Sequence, residues 1–311
     1  MTEITLSPEP RPLGKSGLSV SPMAWGMWRF GGDDVRAARE KVEAAFDAGI
    51  TLFDTADIYG PDNDEPFGAS ELLLGRVFAE APGLRDRMVL ASKGGIRMGV
   101  PYDSSPAYLR EAVEASLTRL GVERIDLWQV HRPDMLAHPA EVAATLDALV
   151  TEGKIGAVGV SNHTPAQTAA LAAHLTSGLA STQPEFSCLA TAPLFDGTLD
   201  LAMQAGTAVL AWSPLGQGRL AEGDPRPGRG KPDDAQATRV KAALDAHAAK
   251  YGVDRTAVAY AWVMAHPARP IPIVGTQTPA RIAASADAYK VSFTRAEWYA
   301  ILVASLGEDL P

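Results

Sequence analysis

Short apolar runs alternate with longer amphipathic segments along most of the chain. The first amphipathic segment begins at the helix-capping residues Asp33 and Asp34, carries apolar residues at helical spacing, and stops at Gly49. Strands are predicted over 21–27, from Leu52 to the polar turn that begins at Asp54, and over 88–93, 125–131, 156–161, 181–187, 207–213 and 271–275. Further helices are predicted over 69–78, 106–120, 139–152, 165–175, 197–205, 234–251, 254–266, 279–288 and 294–306.

Apolar strands that alternate with helices indicate a parallel sheet covered by helices. Eight such units in 311 residues predict an α/β fold of the (β/α)8 TIM-barrel type, formed by a single domain over residues 1–311. A doubly wound sheet is the alternative, but no Gly-x-Gly-x-x-Gly turn follows the first strand. We expect an N-terminal β-hairpin over 11–20, extra C-terminal helices, and a mobile Gly- and Pro-rich loop over 223–234.

Composition narrows the classes of partner. The formal net charge of −9 argues against nucleic acid or an anionic membrane as the main partner. Cys188 is the sole cysteine, so no intrachain disulfide and no cysteine cluster for a metal can form. The start of the chain lacks the features of a signal peptide, and no apolar run is long enough to cross a bilayer. We therefore expect a cytoplasmic protein without a membrane partner; the sequence carries no signal for an oligomeric state.

Reactive side chains stand where three of the predicted strands end. Asp54 and Tyr59 follow the second barrel strand, Lys93 ends the third, and His131 ends the fourth. In a barrel these ends lie at one face, where active sites form. A lysine beside a phenol favours the phenolate and lowers its pKa, an aspartate keeps the lysine charged, and a histidine donates to a carbonyl oxygen. Such a site would protonate a carbonyl oxygen while a nicotinamide cofactor supplies hydride.

The same segments resemble a known family. Residues 53–60, 92–93 and 129–133 look like three consecutive strand motifs of the aldo-keto reductases, and the likeness covers nearly the whole chain. Segments 212–216 and 308–311 are similar to the bacterial YdhF-like branch of that family. The resemblance implies reduction of aldehydes or ketones with NADPH as the cofactor.

The resemblance also implies roles for the reactive residues. Tyr59 is expected to be the general acid in reduction and the base in oxidation. Lys93 and Asp54 would tune Tyr59, and His131 would orient the carbonyl oxygen. Two rival functions remain open: a nicotinamide-binding redox sensor or regulatory subunit with little turnover, and a barrel lyase or isomerase that uses Lys93 as a Schiff base.

Cofactor contacts follow from the resemblance as well. Ser161, Asn162 and Gln183 are expected to bind the nicotinamide carboxamide, and Trp212 to stack on the ring. The plain alternative for Trp212 is core packing. Further residues expected to line the cofactor are Gly26, Met27, Ser213 and Leu215.

The phosphate end of the cofactor is expected on residues 273–281. A helix that begins near residue 279 offers free N–H groups to an anion, and Arg281 can pair with the 2′-phosphate of NADP. Gly275 stands where many relatives carry a lysine, and Ser285 replaces an asparagine that often lies near the adenine. Thr276 lies in the same segment. The alternative for Arg281 is a solvated arginine on a helix.

The substrate pocket is expected to be apolar. Trp28 and Phe30 follow the first strand, and Phe67 and Tyr102 lie in later loops, so that with Tyr59 and His131 they would suit aromatic or aliphatic carbonyls. The alternative for each of these four aromatic residues is a packed loop residue. The acidic run over 62–65 fits no metal pattern and is expected to be a solvated loop. The remaining histidines show no paired ligand spacing, so we expect no metal.

Overall fold

Eight parallel strands form a closed barrel in the computed structural model, which describes residues 3–221 and 234–310. The strands follow one another in chain order, and the last is hydrogen-bonded to the first. An antiparallel hairpin, β1 (Arg11–Pro12) and β2 (Ser19–Val20), precedes them. The barrel strands are β3 (Ala24–Gly26), β4 (Leu52–Asp54), β5 (Val89–Gly94), β6 (Ile125–Val130), β7 (Ile155–Ser161), β8 (Leu179–Gln183), β9 (Ala208–Ala211) and β10 (Ile271–Val274).

Helices cover the barrel, which confirms the predicted (β/α)8 fold. Asp34 and Ser105 cap the first and third helices, accepting from the amides of Ala37 (3.0 Å) and Tyr108 (3.4 Å). The α-helices are α1 (Val35–Asp47), α2 (Ala69–Glu80), α3 (Pro106–Leu120), α4 (Pro139–Thr151), α5 (Pro165–Ala172), α6 (Thr198–Ala205), α7 (Ala235–Tyr251), α8 (Arg255–Met264), α9 (Pro279–Ala284) and α10 (Arg295–Leu306). Short 3₁₀ helices cover Pro61–Asn63, Pro82–Arg87, Ala192–Leu194 and Ser285–Lys290.

The hairpin closes the amino-terminal end of the barrel. Leu13 and Val20 are fully buried and pack with the apolar residues that fill the barrel interior at this end. Gly14 has φ +57°, and a Cβ at this position would lie 2.3 Å from the carbonyl oxygen of Ala180. The turn therefore approaches β8 so closely that only glycine fits.

Several predicted boundaries are wrong. The strand predicted over 181–187 is β8, which ends at Gln183 because Pro184 has no N–H for the ladder. The strand predicted over 21–27 starts at Ala24, two residues after Pro22. The helix predicted over 279–288 is α-helical only to Ala284 and continues as a 3₁₀ helix. The mobile loop predicted over 223–234 lies outside the described residues, except that Asp234 caps α7.

The extra helices pack on the barrel through a pair of tryptophans. The indole rings of Trp262 in α8 and Trp298 in α10 stack with centroids 4.7 Å apart. Each indole N–H donates to the backbone carbonyl of the other residue at 3.0 Å. The C-terminal helix is thus fixed to the barrel by both dispersion and hydrogen bonds. Among the described residues, no helix combines the length and hydropathy needed to span a membrane.

Candidate active site

Polar side chains from β4, β5 and the turn after β4 form a hydrogen-bonded chain at the carboxyl end of the barrel. The ammonium of Lys93 donates to Oδ2 of Asp54 (2.7 Å), to the carbonyl oxygen of Thr55 (2.8 Å) and to the hydroxyl of Tyr59 (2.9 Å). Lys93 is fully buried, Asp54 nearly so, and Tyr59 half-buried. Because three acceptors saturate the ammonium, its position beside the phenol is fixed.

Burial and charge set the protonation of this chain. Burial lowers the pKa of Lys93, but Asp54 and Tyr59 outweigh burial and the net pKa is raised. Burial raises the pKa of Tyr59, and Lys93 opposes that shift without reversing it. The prediction that the pKa of Tyr59 is lowered is therefore correct for the contribution of Lys93 and wrong for the net shift. The phenol keeps its proton at neutral pH.

Two glutamine amides hold the second oxygen of Asp54. Nε2 of Gln183 donates to Oδ1 of Asp54 at 3.0 Å, and Nε2 of Gln129 donates to the same atom at 3.2 Å. Gln129 also accepts from the hydroxyl of Ser181 at 3.3 Å. No role was predicted for Gln129, although a polar residue inside the apolar run of β6 was a usable signal. The carboxylate of Asp54 is thus bonded on both sides.

His131 follows β6 and faces the phenol. Its ring centroid lies 5.9 Å from that of Tyr59, with the planes 78° apart. Burial lowers the pKa of His131 well below its ordinary value, and the cations Lys93 and Arg132 lower it further. Nδ1 is buried and has no hydrogen-bond partner in the described part of the chain. The imidazole is therefore neutral at physiological pH, the form that can donate one hydrogen bond.

The residues expected to bind the carboxamide form a network beside this chain. The side-chain amide of Asn162 donates to the hydroxyl of Ser161 (2.8 Å) and to the carbonyl oxygen of His131 (3.2 Å). Its carbonyl oxygen accepts from the indole N–H of Trp212 at 2.9 Å. Ser161 donates to the backbone oxygen of Gln183 at 3.1 Å. The structure thus brings all four residues together, with Trp212 half-buried at the edge.

The side chain of Gln277, in the segment after β10, bonds to the end of β3. Gln277 donates to the carbonyl oxygen of Gly26 at 3.0 Å, while its own side-chain oxygen is buried without a partner among the described residues. Met27 is fully buried, and its amide donates to the carbonyl oxygen of Asp54 at 2.9 Å. An unpaired buried acceptor beside Gly26 is the kind of atom that a bound amide would satisfy.

The segment after β9 turns back on itself. Ser213 has φ +50° and Gln217 has φ +61°, and both are left-handed without being glycine. Ser213 and Leu215 are half-buried, and the amide of Gly216 donates to the carbonyl oxygen of Ser213 at 2.8 Å. The amides of Gly218 and Arg219 also donate to carbonyl oxygens of the same segment, at 3.1 and 3.2 Å, so the turn is closed by its own hydrogen bonds.

The expected phosphate segment is exposed at Arg281 and buried at Ser285. The hydroxyl of Ser285 donates to the carbonyl oxygen of Ile282 at 2.6 Å. Because this bond uses the hydroxyl proton, it argues against the contact of Ser285 near the adenine, which stays a prediction. The backbone oxygen of Thr276 accepts from the indole of Trp25 at 2.9 Å. At Gly275, the carbonyl oxygen accepts from the guanidinium of Arg29 at 2.7 Å, so a cation stands beside the position where many relatives carry lysine.

The expected apolar pocket is only partly formed. Phe30 is 1 % exposed and packs edge-on against Trp25, so it belongs to the core. Phe67 packs over the guanidinium of Arg119, 5.7 Å from its ring centroid. Trp28 is half-buried, and Tyr102 is exposed. The expectation of an aromatic pocket therefore fails for Phe30, because that ring fills space behind the first strand.

The acidic run over 62–65 is partly structural. Asp62 accepts from the indole of Trp28 at 3.3 Å, and Asn63 donates to the carbonyl oxygen of Trp28 at 2.7 Å. Glu65 accepts from the amide of Gly32 at 3.0 Å. The run fixes the loop after β3. Within 3–221 and 234–310, no group of three or more His, Cys, Asp or Glu residues could hold a metal ion.

These groups fit a nicotinamide cofactor. Amide and hydroxyl groups of Ser161, Asn162 and Gln183 lie beside a half-buried indole, next to a proton-carrying phenol. These groups bond to one another in the structure, so a carboxamide would take over some of these bonds, and the indole would offer a flat surface for a ring.

Sequence comparisons agree with this chemistry. A model of the Aldo/keto reductase family matches residues 22–303. A 6-dehydroglucose reductase of Novosphingobium aromaticivorans is 53 % identical over 313 residues, covering 100 % of both chains. A 6-dehydroglucose reductase of Agrobacterium fabrum is 36 % identical, covering 94 % of this chain and 97 % of the relative. Oxidoreductase YdhF of Escherichia coli is 35 % identical, covering 99 % of both. The chain therefore belongs to the aldo/keto reductase family, which are oxidoreductases that reduce carbonyls with a nicotinamide cofactor.

Proposed function

We propose that this chain reduces the aldehyde of a hydroxylated, sugar-like substrate, of which 6-dehydroglucose is the type, to the alcohol. NADPH is the proposed cofactor and Tyr59 the proposed general acid. The observation that carries the proposal is the buried chain from Asp54 through Lys93 to the hydroxyl of Tyr59, with His131 at the same face. No other described cluster joins a proton donor to the expected nicotinamide contacts.

The proton path follows from the charges. Tyr59 holds its proton at neutral pH because burial raises its pKa. The acid needed for carbonyl reduction is therefore present in its protonated form. When the phenol gives that proton to the carbonyl oxygen, the ammonium of Lys93, 2.9 Å away, stabilises the phenolate that remains. Neutral His131 donates a hydrogen bond to the same oxygen and orients it. Solvent then returns the proton to Tyr59.

The nicotinamide, when bound, supplies the hydride. Ser161, Asn162 and Gln183 would hold its carboxamide, and Trp212 would support the ring. Preference for NADPH rests on Arg281, which is exposed and whose side chain makes no ion pair or hydrogen bond within the described residues. Arg29 adds positive charge beside Gly275. The α9 helix has only six residues, so these side chains supply most of the attraction for a 2′-phosphate.

A hydroxylated substrate is favoured over an apolar one. Arg132 is half-buried, lies close enough to Tyr59 and His131 to affect both pKa values, and has no hydrogen bond or ion pair among the described residues. A half-exposed guanidinium without a protein partner can donate to hydroxyl oxygens of a ligand in place of water. Two relatives that carry the name 6-dehydroglucose reductase support a sugar aldehyde.

The test follows NADPH absorbance with 6-dehydroglucose, simple sugars, and unsubstituted aldehydes and ketones. Wild type and Tyr59→Phe are compared, because the variant keeps the ring and loses the proton. We expect turnover in the wild type and a drop in kcat of about 100-fold or more in the variant. Equal rates in the two proteins would exclude Tyr59 as the acid.

Two further outcomes separate the rivals. Tight NADPH binding without turnover on any carbonyl would favour the redox sensor. Borohydride trapping of a substrate on Lys93 would favour a Schiff-base enzyme; we expect no labelling, since three hydrogen bonds and a raised pKa keep Lys93 protonated.

A further inference from the structure

A second cluster of ionisable side chains lies behind the Lys93–Tyr59 pair, on the outer side of β5. Glu71 of α2 is fully buried and accepts from the hydroxyl of Ser92 (2.5 Å) and from Nε of Arg119 (2.7 Å). Arg119 of α3 also donates to the hydroxyl of Ser116 at 3.0 Å. Asp57, from the turn after β4, is 1 % exposed and completes the cluster. The proposed reaction uses none of these groups.

Asp57 differs from Glu71 in having no hydrogen-bond partner. Both side-chain oxygens of Asp57 are buried and unpaired within the described ranges, whereas both oxygens of Glu71 are bonded. The guanidinium of Arg119 is already held by Glu71 and Ser116. An unpaired buried carboxylate is far less stable than an unpaired buried carboxylic acid. The site therefore favours Asp57 with its proton on.

The carboxyl of Asp57 packs against the strand that carries Lys93. A Cβ at Gly94 would lie 3.0 Å from Oδ2 of Asp57 and 2.6 Å from Cζ2 of Trp128, so glycine makes room for the carboxyl. The backbone amide of Asp57 donates to the carbonyl oxygen of Lys93 at 3.0 Å. Asp57 therefore touches β5 through both its backbone and its side chain.

We propose that Asp57 is a positioning residue for Tyr59, and that it acts as an uncharged carboxylic acid. The turn over 55–59 makes three hydrogen bonds with Lys93. Its ammonium donates to the carbonyl of Thr55 and the hydroxyl of Tyr59, and its backbone carbonyl accepts from the amide of Asp57. The side chain of Asp57 is the part of this turn that fills the space outside β5. It keeps the turn pressed against the strand, and so keeps the phenol on the ammonium. This role rests on the proposed function of Tyr59.

The surrounding charges agree with a neutral Asp57. Burial raises its pKa well above the ordinary value and Glu71 adds to the rise, while Arg119, Lys93 and the Ile58 amide, which approaches without forming a hydrogen bond, oppose it. Tyr108 of α3 brings no charge to the cluster at neutral pH, because its pKa is raised to about 12, chiefly by burial. An ionised Asp57 would thus be repelled by Glu71, while the cations Arg119 and Lys93 are already bonded to other acceptors.

Infrared difference spectroscopy tests the protonation state without relying on activity. The spectrum of the full chain at neutral pH is compared with that of Asp57→Asn. We expect a C=O band of a protonated carboxyl in the wild type, shifted in D2O and absent from the variant. Asp126→Asn is the matched control, because Asp126 forms an ion pair with Arg85 at 2.9 Å and its replacement should leave the band unchanged. No band assignable to Asp57 would overturn the proposal.

Kinetics test the positioning role. Asp57→Asn keeps the shape of a neutral acid, so kcat per cofactor-binding site stays within about threefold of wild type. Asp57→Leu replaces the flat carboxyl with a branched side chain in the tight space against Gly94, and we expect kcat to fall about 10- to 100-fold with the KM for NADPH unchanged. In Asp57→Leu the phenol of Tyr59 should move away from Lys93, so the alkaline limb of the pH–kcat profile should be shifted relative to that of the wild type.

Other outcomes are distinguishable. A purely structural role predicts that Asp57→Leu loses stability and active fraction but keeps wild-type kcat per binding site, as Asp126→Asn should, and this result would overturn positioning. Wild-type protein inactive on every carbonyl would instead overturn the proposed function, and the infrared band would still report the state of Asp57.

Discussion

The side-chain amide of Gln183 donates to Oδ1 of Asp54 across 3.0 Å, while Oδ2 of the same carboxylate holds the ammonium of Lys93. One buried carboxylate thus connects the expected nicotinamide segment on β8, through Lys93, with the proposed proton donor Tyr59 on the opposite side of the barrel.

Removal of the central cation should separate stability from catalysis. Lys93→Met leaves the carboxylate of Asp54 buried without its partner, so we expect the free energy of unfolding to fall by about 3–5 kcal/mol and kcat to fall by about 100-fold or more. Chemical denaturation and steady-state kinetics measure the two effects. The double variant Lys93→Met/Asp54→Asn should recover much of the stability and none of the activity. Equal stability of the single and double variants would contradict a buried ion pair.

The stability of the protein should fall as the pH drops below about 6.5. The pKa of His131 is lowered in the folded protein, so between the folded and unfolded pKa values the unfolded chain binds a proton that the folded protein does not. Folding stability is therefore unaffected above the unfolded pKa and declines below it, by up to about 1.4 kcal/mol per pH unit from this residue. Denaturant titrations at several pH values should show a smaller decline for His131→Gln than for wild type. Identical slopes would mean that His131 ionises freely.

Cofactor choice should depend on Arg281. In Arg281→Ala we expect the KM for NADPH to rise about tenfold or more, while the KM for NADH changes little, because only the former carries the 2′-phosphate. Arg36→Ala is the control, since Arg36 is an exposed helix arginine paired with Glu40 at 3.3 Å. A similar loss for both cofactors would point to a pyrophosphate or structural role.

Substrate choice should depend on Arg132. Arg132→Gln removes the guanidinium and keeps a polar side chain, so the KM for a sugar aldehyde should rise about tenfold while that for an unsubstituted aldehyde stays the same. Rates on both substrates are measured with saturating NADPH. If both change together, Arg132 acts on Tyr59 or His131 and not on the substrate hydroxyls.

Of the two glycines in the hairpin turn, Gly14 should contribute more to the free energy of unfolding than Gly17. Gly14→Ala places a Cβ against Ala180 in a left-handed turn, and we expect a loss of about 2–4 kcal/mol in unfolding free energy. Gly17 is also left-handed, at φ +79°, but a Cβ there meets nothing within 4 Å, so Gly17→Ala should cost only about 1 kcal/mol. Thermal or denaturant unfolding of both variants provides the comparison. Equal losses would show that the contact with Ala180 relaxes.

The features that sequence reasoning predicted well are local ones. Apolar runs, caps such as Ser105 and the polar ends of strands depend on neighbours along the chain, and a barrel then places strand ends at one face. The positions of Asp54, Lys93 and Tyr59 therefore followed from their order alone.

The features that were missed depend on contacts across the fold. The upward pKa shift of Tyr59 arises from burial that no spacing reveals, and the bond from Gln129 to Asp54 joins residues from different strands. Phe30 is an aromatic residue where a pocket residue was expected, but its ring packs on Trp25 in the core. Asp57 stands in the same motif as Tyr59, yet only the fold shows that its carboxyl points to the other side of β5.

The hairpin over β1 and β2 has a consequence for the order of events. Leu13 and Val20 fill the amino-terminal end of the barrel, so this end is closed. The two reactants of the proposed reaction would therefore share the opposite opening. A reactant bound in this opening would obstruct the other, so the two would enter and leave in sequence.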